Sequence, residues 1–164
     1  MKQSNKTKFS HQDAFDSLSV LDLIDSEEMS DQQRESIVLD LAEASFLSFY
    51  TKRLHQLLTA QQMQEISEIA AENPNLDVVS AKILKYVPNF PNLLAEHTRL
   101  AKKEFLRKHY QQMHHQAEQD FSEELSEAVQ QKIRRRITTY TIALGLIADE
   151  DWITLARLFQ AKTQ

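Results

Sequence analysis

The feature that most constrains the fold is a run of apolar residues that return every three or four positions between Leu93 and Ile147. This spacing places the apolar side chains on one face of an α-helix. Similar spacing occurs upstream, at Ile37–Leu58 and Met63–Ala70. Sheet proteins use glycine and proline at their turns, yet the 164 residues contain only one glycine and three prolines. The sequence therefore predicts an all-α protein.

Local signals predict where several of the helices begin and end. Ser30 with Gln33, and Thr59 with Gln62, have the spacing of capping boxes, in which each side chain bonds a free backbone N–H at a helix start. In the segment "KYVPNFPNLL" (85–94), the first proline forces the residue before it out of helical geometry and ends a helix. The second proline suits the first turn of the next helix. We expect Phe90, between them, to fill the core at a sharp corner.

The predicted architecture is a multi-helix bundle with short capped helices, one long helix after Pro91 and a C-terminal helical hairpin. A break in the long apolar run is expected near Ser122, where "DFSEE" can start a new helix with an acidic first turn. Three segments are predicted, namely a flexible N-terminus, a helical module that includes the long helix, and a C-terminal extension that packs back or onto a partner. They span residues 1–12, 13–120 and 121–164.

The segment "LTAQQMQEISEIAAENPNLDVVSAKILKYVPNFPNLL" (58–94) resembles a family of short, acidic, all-helical bacterial proteins of unassigned function. The shared features are a capped helix opening at Thr59, an Asn-rich turn at 73–75 and the motif "VPNF". The resemblance extends over roughly residues 13–108, and the sequence departs from it at Pro91 and beyond about residue 110. The family implies a fold and no activity, so it supplies no functional residue.

The residue types that most catalytic and metal sites need are missing or scattered. There is no cysteine, and Gly145 is the only glycine, so neither a thiolate site nor a glycine-rich phosphate loop can form. His114 and Glu118 are four residues apart, but a metal site needs three or four ligands in fixed geometry. We expect no enzyme activity, no cofactor and no metal. The short apolar stretches predict no membrane span and no signal peptide, hence a cytoplasmic protein.

Two basic segments are candidates for nucleic-acid binding. The first forms a stripe along one side of a helix around residues 99–108, and its members are Arg99, Lys102, Lys103 and Arg107. The second, "KIRRR" (132–136), spreads its charges around the helix and leaves an apolar face for packing. A net charge of −5 and the lack of interleaved aromatic residues favour solvated helix surfaces over a nucleic-acid site.

The C-terminal segment "EDWITLARLFQA" is apolar on most sides, so its helix must dock against this chain or another. Trp152, Leu155 and Phe159 are the candidate interface residues. Self-packing and homodimerisation both satisfy this pattern. The sequence favours a non-enzymatic interaction or structural protein that acts through helix surfaces on a protein partner or a second copy. The alternative is a nucleic-acid-associated protein that uses the stripe around residues 99–108.

Overall fold

The computed structural model describes residues 11–26 and 29–160, and these stretches contain helices and no strand. The all-α prediction is therefore confirmed. A 3-10 turn (Leu21–Leu23) follows α1, and a π-helical turn (Phe49–Leu54) joins α2 to α3. The helices are α1 (His11–Ser17), α2 (Asp31–Ser48), α3 (His55–Leu57), α4 (Ala60–Glu72), α5 (Leu76–Tyr86), α6 (Phe90–Asp120), α7 (Glu127–Ala148) and α8 (Trp152–Gln160). The long helix predicted after Pro91 is α6, and the expected break near Ser122 separates it from α7.

The chain divides into two compact units that differ from the predicted segments. The terminal unit comprises residues 1–38 and 102–164, and the central unit comprises residues 39–101. The difference arises because α8 packs against both α1 and the 3-10 turn, so the two ends of the chain build one core. Most of the predicted flexible segment 1–12 lies outside the described residues.

Side-chain caps define the starts of several helices, as the sequence predicts. The backbone N–H of Ser30 donates to Gln33 Oε1 at 2.8 Å, and the Gln33 N–H donates to Ser30 Oγ at 3.3 Å. Thr59 and Gln62 repeat this reciprocal pair at 2.9 and 3.3 Å. Asn75 Oδ1 accepts from a backbone N–H in the first turn of α5 at 2.9 Å. Each cap satisfies N–H groups that have no partner within the helix.

The core of the central unit is built around the π-helical turn and the proline corner. Phe49 and Leu54 are both almost fully buried, because the i→i+5 repeat of a π-helix places residues five apart on the same side. Phe90 is also buried, as predicted, and packs edge-on against Phe49 with ring centroids 5.7 Å apart. Met63 and Ile66 from α4 complete this contact cluster with residues of α5.

The core of the terminal unit joins α1, the 3-10 turn, α6, α7 and α8. The rings of Phe15 and Trp152 lie 4.2 Å apart between centroids, and both side chains are buried. The Tyr110 hydroxyl on α6 donates to the Leu23 carbonyl at 2.7 Å. This bond fixes the 3-10 turn against α6. The bond also gives a hydrogen-bond partner to a phenol hydroxyl that is buried in the core.

The three candidate interface residues of α8 are core residues of the terminal unit. Trp152, Leu155 and Phe159 expose 2%, 0% and 5% of their surface, respectively. The Phe159 ring stacks on Tyr110 with centroids 5.6 Å apart. Of the two packing modes that the sequence left open for α8, the structure shows the one in which it packs onto its own chain. These side chains therefore present no exposed face to a partner.

Candidate functional site

The basic stripe predicted on α6 is occupied by contacts within the protein. Lys102 Nζ donates to the carbonyls of Phe15, at 2.8 Å, and Leu18, and so binds the C-terminal end of α1. It also lies 4.2 Å from the centroid of the Phe15 ring. Burial lowers the pKa of Lys102 to about 8, and the nearby carboxylates of Asp16 and Asp22 oppose this shift. Lys102 thus anchors α1 and does not face solvent as a phosphate contact.

The other members of the stripe are also engaged. Lys103 Nζ lies 2.6 Å from Glu150 Oε1, and Arg107 Nη2 lies 2.8 Å from Glu104 Oε1. Arg99 belongs to the central unit and is not free either. The structure therefore does not bring the four residues together as one open cationic face.

The second basic segment, on α7, has a different environment. Between Glu127 and Asp149 this helix carries four cationic residues and no carboxylate. Ile133 lies in the segment but points into the core, at 8% exposure, whereas its charged neighbours are exposed. Those neighbours are Lys132, Arg134, Arg135 and Arg136. Lys132 lies three and four residues before Arg135 and Arg136, so these three share one side of α7, whereas Arg134 is two residues from both Lys132 and Arg136 and lies farther around the helix.

These cations border a cleft within the terminal unit. The cleft has a volume of about 1130 Å³ and is bounded by α6, α7 and the loop after the 3-10 turn. Its α7 side carries the four cations, and its opposite side carries Asp25, Met29, His109 and Met113. We call this feature the α7 cleft. It combines a positively charged edge with a wall of thioether and imidazole groups.

The cations of the α7 cleft lack the ion pairs that engage the α6 stripe. Over residues 11–26 and 29–160, no carboxylate oxygen lies within 4.0 Å of the charged nitrogens of Lys132, Arg135 or Arg136. Arg134 lies over the Phe121 ring, with its guanidinium carbon 5.2 Å from the ring centroid. The edge of the cleft thus offers several guanidinium and ammonium donors to an external acceptor.

The side of the cleft opposite α7 includes His109 and the Asp25 carboxylate. The His109 ring stacks beside Phe105, with centroids 5.9 Å apart and an interplanar angle of 16°. Burial lowers the pKa of His109 below its usual value of 6.5, although the Asp25 carboxylate, which also lines the cleft, acts in the opposite direction. Burial therefore favours the neutral form of the imidazole that lines this side of the cleft.

Two threonines of α7 add hydrogen-bond acceptors to the cleft. Thr138 Oγ1 donates to the Arg134 carbonyl at 3.0 Å, and Thr139 Oγ1 donates to the Arg135 carbonyl at 2.9 Å. Because each hydroxyl hydrogen is used in this way, the oxygen lone pairs are left to accept. Donors to an anion can therefore come from the lysine and arginine side chains and from the side-chain amide of Gln131.

Other candidate sites have weaker support. His114 Nδ1 lies 3.4 Å from Glu118 Oε2, as their spacing suggests, but no group of three or more potential metal ligands occurs among the described residues. Within the same residues no helix has the length and apolar character needed to cross a bilayer. In the central unit, His97 Nε2 is a buried nitrogen with no hydrogen-bond partner in the part of the chain that the structure describes.

Comparisons with protein-family models, with curated proteins and with solved structures found no match. The resemblance of residues 58–94 to a family of acidic helical proteins therefore stays a prediction. The α7 segment was visible in the sequence as "KIRRR", but its cleft was not. The useful sequence signal was the absence of any carboxylate between Glu127 and Asp149.

Proposed function

We propose that this protein is a nucleic-acid-binding protein, not an enzyme, that holds backbone phosphates along the edge of the α7 cleft. The observation that carries the proposal is that three cations, Lys132, Arg135 and Arg136, border a concave site and have no carboxylate partner among the described residues. The sequence raised nucleic-acid binding as the alternative function and placed it on the α6 stripe. The present proposal keeps nucleic acid as the ligand and places the binding site on α7.

The arrangement of the cations suits phosphate groups. A guanidinium presents its N–H donors in a planar fork that bonds two oxygens of one phosphate at once. Arg135 and Arg136 are adjacent, and Lys132 lies about one helical turn away, roughly 5–6 Å along the axis. Several phosphates that are linked in one backbone can therefore contact this edge together.

The wall of the cleft favours a nucleic acid over an acidic protein segment. An acidic peptide would satisfy the cations, but its carboxylates and backbone make no use of Met113 or the flat His109 ring. Nucleic acids combine anionic phosphates with flat apolar bases, and proteins that bind them join basic grooves to stacking surfaces. The α7 cleft contains both parts within one concave feature.

Fluorescence anisotropy of a labelled single-stranded oligonucleotide tests the proposal. If Lys132, Arg135 and Arg136 each neutralise one phosphate, the logarithm of the affinity falls with the logarithm of the salt concentration with a slope of about −2. The affinity then drops roughly 20-fold between 50 and 200 mM salt. The double variant Arg135→Gln/Arg136→Gln retains one of the three contacts, and its affinity should drop only about threefold over the same range.

The matched control is Arg107→Gln/Lys108→Gln on α6. Both of these side chains are exposed and lie within 3.3 Å of a Glu104 oxygen, so the variant removes the same two charges from residues that are already paired. We expect it to keep the wild-type salt dependence. Equal losses in the two double variants would show that binding follows net charge and would contradict the proposed site.

A further inference from the structure

We infer that the α7 cleft binds a single strand and places an unpaired base against the wall formed by Met113 and His109. This inference rests on the proposed function and specifies its ligand. Four features of the terminal unit support it: the position of α7 beside α6, the size of the cleft, the character of its wall and the position of its hydrogen-bond acceptors.

The position of α7 beside α6 argues against the binding of a duplex. A recognition helix must present an unobstructed face to the major groove, which is about 12 Å wide. One face of α7 packs into its own unit through Ile133, Tyr140, Ala143 and Ile147. Its cationic side also faces a cleft whose other side belongs to α6. A duplex could therefore contact the outer edge only, leaving the wall without a ligand.

The size of the cleft fits a few nucleotides. Pockets for small ligands typically hold about 300–1,000 Å³, and the α7 cleft, at about 1130 Å³, is slightly larger than this range. A base in a duplex is stacked and paired, so its flat face is not available to a protein wall. An unpaired base can turn away from the strand and enter the cleft while its flanking phosphates stay at the edge.

The wall supplies the contacts that such a base needs. Thioether sulfur atoms make favourable contacts with aromatic rings, and Met113 is 37% exposed where it lines the cleft. His109 adds an aromatic ring that stacks beside Phe105 and whose neutral form is favoured by burial. The hydroxyl oxygens of Thr138 and Thr139 can accept from the amino groups of a base. The phosphates and the base thus use different parts of the same cleft.

The test compares three labelled probes at 50 mM salt. They are a twelve-nucleotide oligo-dA strand, the duplex of that strand with oligo-dT, and an abasic strand with the same number of phosphates. Base stacking on protein side chains contributes about a 5- to 150-fold gain per base. We expect oligo-dA to bind at least fivefold more tightly than the abasic strand or the duplex.

The substitution Met113→Ser tests the wall itself. It should reduce the preference for oligo-dA over the abasic strand to less than twofold and leave the salt dependence unchanged. Val129→Ser is the matched control, because Val129 is an exposed apolar residue of α7, 44% accessible, that does not line the cleft. We expect this control to keep the full preference.

The outcomes separate the two proposals. If the duplex or the abasic strand binds as well as oligo-dA, and binding still depends on Arg135 and Arg136, the base contact is refuted and the proposed function stands. An unchanged preference in Met113→Ser also refutes the base contact. If no probe shows a dependence on Arg135 and Arg136, or if poly-glutamate competes as well as oligo-dA, the proposed function itself is refuted.

Discussion

The substitution Phe15→Ala tests how the two ends of the chain build the terminal unit. Phe15 is 1% exposed, and its ring lies 4.2 Å from both the Trp152 ring centroid and Lys102 Nζ. Truncation removes the aromatic contact, leaves a cavity beside Trp152 and takes away the surface over which the lysine lies. Replacing a buried phenylalanine by alanine typically costs about 3–5 kcal/mol of the free energy of unfolding.

The assay is urea unfolding followed by tryptophan fluorescence. Trp152 is the only tryptophan, so the signal arises from the side chain that contacts Phe15. With a urea dependence of about 2 kcal/mol per molar, the expected loss shifts the unfolding midpoint down by roughly 1.5–2.5 M. A Phe15→Leu variant, which keeps much of the apolar volume, should show a smaller shift.

Ile153→Ala provides the control from the same region. Ile153 follows Trp152 on α8 but is 44% exposed, so its truncation should move the midpoint by less than about 0.5 M. If Phe15→Ala shifted the midpoint no more than Ile153→Ala, the packing of α1 against α8 would be wrong. The same result would contradict the statement that contacts between α1 and α8 hold residues 1–38 and 102–164 in one unit.

Three further predictions concern stability. Gly145→Ala should raise the free energy of unfolding by about 0.5–1 kcal/mol in urea titrations, because a Cβ at this helical position meets no heavy atom within 4 Å apart from its chain neighbours and the backbone of its own helix; a loss would contradict these open surroundings. Thr59→Ala removes the capping box of α4 and should lower the free energy of unfolding by about 0.5–2 kcal/mol in the same titrations. Thr59→Ser keeps a hydroxyl at the cap and should retain most of this stability. Burial lowers the pKa of His97, with help from Lys52 and Arg53, and burial also lowers that of His109. As the pH falls below about 6.5, the unfolded chain therefore binds more protons at these two histidines than the folded protein does. The contribution of the two neutral histidines to the free energy of unfolding is complete above this pH and is lost below it. Urea titrations at pH 7.5 and 5.5 should show a smaller acid loss for His97→Gln/His109→Gln than for the wild type, and equal losses would refute the assignment.

Features that depend on neighbouring residues could be predicted from the sequence. The capping boxes at Ser30 and Thr59 and the corner at Phe90 follow from residue types that lie within a few positions of one another. The π-helical turn could not be predicted, because its i→i+5 spacing interrupts the 3.6-residue pattern used to recognise helices.

The candidate site depended on contacts that are distant in sequence. The three- and four-residue spacing of the apolar residues around Lys102 correctly places this lysine on a helix. The carbonyl that it binds, however, belongs to Phe15, 87 residues away. No local pattern could show that this lysine is covered while Arg135 is not. For the same reason, the apolar character of α8 did not show whether another chain or α1 covers it.

The division of the chain also sets an order for folding during synthesis. The central unit is one continuous stretch, residues 39–101, so all of its core residues have been made before α7 exists. The terminal unit needs α1 and α8, which are separated by most of the chain, and it can close only when α8 has left the ribosome. Until then the apolar side of α1 has no α8 to cover it, and contacts between such distant segments form slowly. A nascent chain that stalls before Trp152 would therefore expose Phe15 and be a substrate for chaperones.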